Sequence, residues 1–282
     1  HIAMNNTFSF SRFGRFFKYD FKRWASSYGL TLMLMSLAPV VLYVITLCYS
    51  LIFSQEWGTP GLTFRVSVFC FVAVVLFITY PKNVYGYITE KRAGSMLLMI
   101  PASTLEKFLS MMLNTLIIVP AIFVGIYLAA DGLICLCDSS CGGTLAASFT
   151  DALTRITSFA YTTDAPIRVS MFSIYMQFAF AILFFLLGAL LFKKHKILYP
   201  ILIFIVFNMV MSMLFGLLFT TGLIDMDTLM KWSQLFAGKY LTDPDFISWA
   251  VPFANVAATL WDILVVSALA CAVFFRLKTI KH

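Results

Sequence analysis

The chain has 282 residues, 61% of them hydrophobic, 17% aromatic and only 12% charged, and its mean hydropathy of +0.91 lies outside the range of a soluble domain of this length. Its apolar residues form continuous blocks rather than ten-residue alternating ones, which disfavours a β-barrel and points to an all-α integral membrane protein. The net charge of +7 gathers on one side of the expected membrane, where it faces an anionic lipid bilayer and not a nucleic acid.

His1, Ile2 and Ala3 precede Met4 and read as a cloning remnant, and no cleavable signal peptide is expected. Over residues 8–28, FSFSRFGRFFKYDFKRWASSY, the period is helical. Phe10, Phe13, Phe17, Phe21, Trp24 and Tyr28 fall within a sector of about 80°, with Arg12, Arg15, Lys18, Lys22 and Arg23 on the other side. Such an amphipathic helix is expected to lie flat in the interface of an anionic leaflet, as a topogenic anchor or as an elbow that also touches a cytoplasmic partner.

Six runs can then cross about 30 Å of hydrocarbon as helices: residues 30–54, 64–80, 108–134, 169–192, 197–223 and 249–275. Placing both termini in the cytoplasm collects fifteen of the twenty Lys and Arg residues there. They are the five of the amphipathic helix, then Lys82, Lys91, Arg92 and Lys107, then Lys193, Lys194 and Lys196, and finally Arg276, Lys278 and Lys281. The outer connections at 135–168 and 222–248 are long. They carry amphipathic stretches such as FTDALTRITSFAY and MDTLMKWSQLFAGKYL, which read either as helices on the outer leaflet or as solvated loops.

Cys48, Cys70 and Cys271 lie in apolar spans, where a thiol acts as a small hydrophobe. Cys135, Cys137 and Cys141 crowd an outer loop and could supply one disulfide, most simply Cys137 to Cys141. A metal site is a poorer reading, with no histidine nearby. Asp262, within NVAATLWDILVVSALA, stands about 20 Å along a helix from Arg276 and is a candidate pathway residue, with Asn208, Gln177 and Asn114 as polar neighbours on other spans. The alternative is that its helix starts later and Asp262 lies near the outer interface. Pro39, Pro120 and Pro200 are expected at kinks or helix starts.

Motifs for intramembrane catalysis and for ATP binding are missing from the sequence, so no catalytic residue, bound cofactor or metal is expected on this chain. One charged segment interrupts the apolar runs, YGYITEKRAGSMLLMIPAS at 85–103. Residues 83–98 are expected to form a short helix bearing Glu90, Lys91 and Arg92, ended by Pro101. Ser103 then caps the next helix with Glu106 in a capping box. The whole offers a knob to a soluble partner.

The order Glu90-Lys91-Arg92-Ala93-Gly94-Ser95, Leu97-Leu98, Pro101-Ala102-Ser103, Glu106-Lys107-Phe108 resembles the loop between the second and third spans of ABC type-2 permeases. There an E-[KR]-x-x-G-[ST]-x-x-x-L-x-x-P-x-S pattern forms the coupling helix seated on the nucleotide-binding subunit. The spacing here departs slightly from that pattern, and the match covers about 20 residues. Six spans, cytoplasmic termini and an amphipathic connecting helix are also similar to that family's type V exporter fold.

The resemblance implies a single permease domain, dimeric with a second copy or homologue, in a bacterial inner membrane. ATP and Mg would be held by separate ATP-binding subunits. Glu90, Lys91 and Arg92 would make the polar contacts with that subunit, with Leu97, Leu98, Met99 and Pro101 supplying the apolar part. The substrate class left open is lipid-like, peptide or amphipathic. Two alternatives stand beside this reading: an ion-coupled secondary transporter using Asp262, and a non-transporting sensor or scaffold.

Overall fold

The computed structural model describes residues 8–53, 58–90, 94, 99–138, 141, 143–150, 171–221, 230–231 and 244–280. Among these, every regular element is helical: α1 (Phe10–Ser36), α2 (Ala38–Phe53), α3 (Leu62–Tyr85), a 3-10 turn (Gly86–Thr89), α4 (Thr104–Met112), a π-helical turn (Leu113–Ile118), α5 (Val119–Cys137), α6 (Met171–Leu191), α7 (Leu198–Thr220) and α8 (Pro244–Thr279). Among the described residues, five stretches are long and apolar enough to cross a membrane: Phe10–Phe53, Leu62–Thr89, Thr104–Cys137, Phe172–Leu191 and Asn255–Thr279. All-helical among the described residues, the chain is a multi-pass membrane protein. The fifth predicted span coincides with α7, in which Leu198–Leu214 forms a shorter apolar helix.

The prolines act where their chemistry directs. Pro39 is the second residue of α2, just after a turn at Leu37, and Pro120 is the second residue of α5. Pro39 stands in a first turn, where no backbone N–H donor is needed, whereas Pro120 lies directly after the π-helical turn inside the continuous helical stretch Thr104–Cys137. Pro200 opens α7 and lies against Gly188 of α6 so closely that a Cβ on that glycine would overlap the proline ring. Pro81 lies inside α3, which continues to Tyr85, beyond the predicted end of the second span.

The N-terminal segment departs from expectation. Nothing breaks the helix at Tyr28: α1 runs on to Ser36 and continues, past the Leu37 turn, into α2. Its buried residues are Phe16, Asp20, Trp24, Tyr28, Leu32 and Ser36. Of the six predicted aromatics Phe10, Phe13, Phe17, Phe21, Trp24 and Tyr28, only Trp24 and Tyr28 are buried, and Phe10 is 82% exposed. The reason is geometric. Residues spaced by four lie on a ridge inclined to the helix axis, so the contact stripe winds away from the fixed aromatic sector toward the side carrying Asp20.

Polar partners along α1–α2 and α4–α5 keep a nearly constant offset: Arg12 meets Glu106, Trp24 meets Asn114 and Tyr43 meets Asp138. These elements therefore run side by side in the same direction. α6 and α8 are also parallel, joined by Ser173–Asp262 at one level and by Arg276 to the Leu190 carbonyl at another. The core between them holds Leu76, Tyr80, Phe123, Tyr127, Leu183, Leu186 and Leu190, each almost fully enclosed. Trp24, Tyr28 and Tyr85 pack edge-on around Tyr80, with ring centroids 5.4–6.2 Å apart.

Candidate functional site

The polar chemistry concentrates where α3 ends and α4 begins, alongside the first half of α1. Asp20 is buried on the α1 contact ridge. Its Oδ1 accepts from Arg23 Nη2 at 2.8 Å. Its Oδ2 accepts from the Tyr85 hydroxyl at 3.1 Å, the Ser110 hydroxyl at 2.9 Å and Asn114 Nδ2 at 3.0 Å. Asn114 Oδ1 in turn accepts from Trp24 Nε1 at 3.2 Å. One carboxylate thus ties α1 to α3, α4 and the π-helical turn. That wider turn holds Asn114 and Thr115 buried, and π turns of this kind recur at functional sites. Arg23 also lies 4.3 Å from the Tyr87 ring centroid and 5.6 Å from that of Tyr85, within cation–π range.

Glu106 forms a second tie. The expected capping box is present: Ser103 Oγ accepts from Glu106 N at 3.2 Å, and Glu106 Oε2 accepts from Ser103 N at 2.9 Å. The same carboxylate receives Arg12 Nε at 2.9 and 3.0 Å, Arg12 Nη2 at 2.8 Å and the Ser9 backbone N–H at 3.0 Å. Its burial is complete, so a local capping residue doubles as the anchor of α1. On the opposite flank, Lys196 Nζ donates to the Gly86 carbonyl at 2.6 Å and to Glu90 Oε1 at 3.1 Å.

Between these ties runs the segment singled out in the sequence. It is not one helix over 83–98: α3 ends at Tyr85, the 3-10 turn follows, and Glu90 is extended (φ −89°, ψ 131°). The Glu90 carbonyl accepts from Gly94 N–H at 2.8 Å. At the break the Glu90 N–H donates to the Tyr87 carbonyl at 2.9 Å, the three-residue bond of a 3-10 turn, while the Gly86 carbonyl accepts from Lys196 and from the Thr89 hydroxyl. Glu90 and Pro101 are exposed, and Met99 is 81% exposed. Lys91, Arg92, Leu97 and Leu98 lie outside the described residues, as do residues 1–3 and most of the outer connections, including 151–170 and 232–243.

Asp262 is on α8, and its Oδ2 accepts from Ser173 Oγ of α6 at 2.7 Å. Gln177 lines the same cleft, as expected. Asn208 does not: it donates to the Phe204 carbonyl of its own helix. Asn114 belongs to the Asp20 cluster instead.

At the other end of the bundle Arg65 and Asp131, both nearly inaccessible, pair at 2.8 Å. Arg65 Nη2 also donates to the carbonyls of Cys141 at 3.1 Å and Gly143 at 2.6 Å, and Asp131 Oδ2 accepts from Leu145 N at 2.8 Å. The disulfide there joins Cys135 to Cys141, not Cys137 to Cys141. Residues two apart on a helix point to opposite sides, and Arg65 draws the Cys141 segment to the Cys135 side; Cys137 is exposed and free. Neither Asp20 nor the Arg65–Asp131 pair was flagged by sequence. The available signal was an acid inside an apolar or aromatic stripe at helical spacing.

Neither a family model, nor a curated protein, nor a solved structure matches the chain.

Proposed function

We propose that the chain is the permease subunit of an ATP-driven ABC exporter, with six spans and both termini cytoplasmic in a bacterial inner membrane. It would pair with a second permease copy or homologue and work with separate subunits that bind ATP and Mg. In this reading α7 is the fifth span, the exposed faces of α1 meet the anionic leaflet, and residues 83–103 dock on the ATP-binding subunit.

The observation that carries the reading is the bracing of that segment. Lys196 holds its first part through Gly86 and Glu90, Asp20 holds Tyr85, and Arg12 holds Glu106 just beyond Ser103. An element that passes motion from a soluble motor to membrane helices must move with them as a rigid body, and interhelical charge contacts on both flanks supply that stiffness. A topogenic loop needs only its charges, not this framework.

Co-expression with a candidate ATP-binding subunit, followed by purification in mild detergent, tests the reading. A stable complex with permease-stimulated ATP hydrolysis is expected. The double reversal Glu90→Lys, Arg92→Glu should lose stimulation while its elution profile stays monodisperse. Full stimulation in the reversed variant would demote the segment to a topogenic loop.

An ion-coupled transporter is the second reading, favoured by one observation: Asp262 lies within a candidate span and is held by a hydroxyl rather than a cation. It expects transport that needs an ion gradient and no ATPase.

A further inference from the structure

The acids of the described helices and their connections are mostly neutralised. Asp20 faces Arg23, Glu90 faces Lys196, Glu106 faces Arg12 and Asp131 faces Arg65. Asp262 is different. Only Ser173 bonds it, through Oδ2, and among the described residues Oδ1 accepts nothing. Counting from the Arg276–Leu190 contact, fourteen residues of α8 place Asp262 roughly 21 Å along the helix, within the candidate span Asn255–Thr279. An ionised carboxylate within a span calls for a positive partner or water.

The surroundings state what kind of partner. Asp262 opens into a cleft of about 200 Å³ between α6 and α8, lined by Met176, Gln177, Phe180, Trp261, Val265 and Val266. Met176, Gln177 and Phe180 follow Ser173 at three, four and seven residues, the spacing of one helix face. Val265 and Val266 follow Asp262 in the same way. Trp261 is 66% exposed, so its indole is available rather than spent on core packing. A carboxylate beside an exposed indole, with an amide and apolar walls, suits a charge carried on an apolar body: indole faces attract cations, and methionine and phenylalanine accept varied apolar shapes. A bare metal ion would want more oxygen ligands than this cleft offers.

We propose that this cleft binds organic cations of amphipathic build, the charge seated between Asp262 and Trp261 and the apolar part along Met176, Phe180 and Val266. As a substrate assignment the proposal rests on the exporter reading; as a binding site it does not.

The test uses the purified full chain in nanodiscs of zwitterionic phosphatidylcholine, with radiolabelled tetraphenylphosphonium as probe and neutral triphenylphosphine oxide as competitor. Saturable tetraphenylphosphonium binding is expected, with at least tenfold weaker competition by the neutral compound. Asp262→Asn retains an acceptor for Ser173 and should weaken the probe at least tenfold. Trp261→Leu removes an exposed ring, so folding is not at stake, and should weaken it several-fold. Equal binding of the neutral compound, or unchanged affinity in either variant, overturns the proposal. Because no ATP-binding subunit is present, Asp262-dependent binding supports the site even if no ATPase partner is ever captured. Loss of the site alongside an intact permease–ATPase complex would overturn the cleft and leave the exporter reading standing.

Discussion

Replacing Asp20 by alanine removes the acceptor that α3, α4 and the π-helical turn share with α1. The hydroxyls of Tyr85 and Ser110 and the Asn114 amide all donate to one oxygen, and each donor's residue is buried. A buried donor left unsatisfied costs about 1–3 kcal/mol. Ser110 can turn to a carbonyl of its own helix, so the lower end is the fair choice, about 3 kcal/mol for the set. Arg23 is 23% exposed and keeps Tyr87 beneath it; solvent compensates much of its loss, adding less than about 1 kcal/mol. The expected cost of Asp20→Ala is therefore about 3–4 kcal/mol, a large share of the ~5–15 kcal/mol typical of a folded domain. Asp20→Asn keeps one acceptor oxygen and the volume, and should cost about 1–2 kcal/mol. Reversible unfolding by SDS titration from mild-detergent micelles reads both numbers, and hydrogen exchange at residues 85–90 reads the local loosening. An alanine variant within 1 kcal/mol of wild type, or one no worse than asparagine, would refute the shared-acceptor argument.

At the opposite end of the bundle, Arg65→Leu or Asp131→Leu alone should cost about 3–5 kcal/mol, because each strands a buried charge. The double variant should cost less than the sum, with a coupling near 2 kcal/mol in a double-mutant cycle; strict additivity would deny the pair. Ser103→Ala should lose about 1 kcal/mol in the same SDS titration through the cap alone. Gly188→Ala should lower the thermal midpoint by forcing Pro200 and the start of α7 outward, at about 1–3 kcal/mol; an unchanged midpoint would mean α7 is not seated there. Non-reducing peptide mapping should recover Cys135 linked to Cys141 while Cys137 reacts with maleimide, and a Cys137–Cys141 peptide would contradict the arrangement drawn from Arg65.

How far the sequence reached depends on what each residue was asked to do. Long apolar runs announce helices whatever their neighbours, and prolines start or bend helices by local chemistry, so both were readable. The capping box was readable because Ser103 and Glu106 act within one turn. That Glu106 also holds Arg12, 94 residues away, is tertiary and leaves no local mark. Asp20 was hidden for a related reason: in a window full of Lys and Arg, an acid reads as one more surface charge, and only the inclined ridge of the packed helix turns it inward. The Cys135 pairing depended on a loop path set by Arg65, which spacing between cysteines cannot convey. Asp262 was legible as an anomaly, but the hydroxyl beside it and the indole next to it gain their meaning from the cleft.

If the segment after α3 seats on a soluble ATP-binding subunit, as proposed above, Met99 of that segment, 81% exposed, should meet it. A photo-crosslinking amino acid placed at Met99 and activated in native membranes should join the chain to a subunit that carries a phosphate-binding loop and hydrolyses ATP, with a yield that changes when ATP is added. Crosslinks to lipid or to the chain itself alone, with that subunit expressed and present, would contradict it.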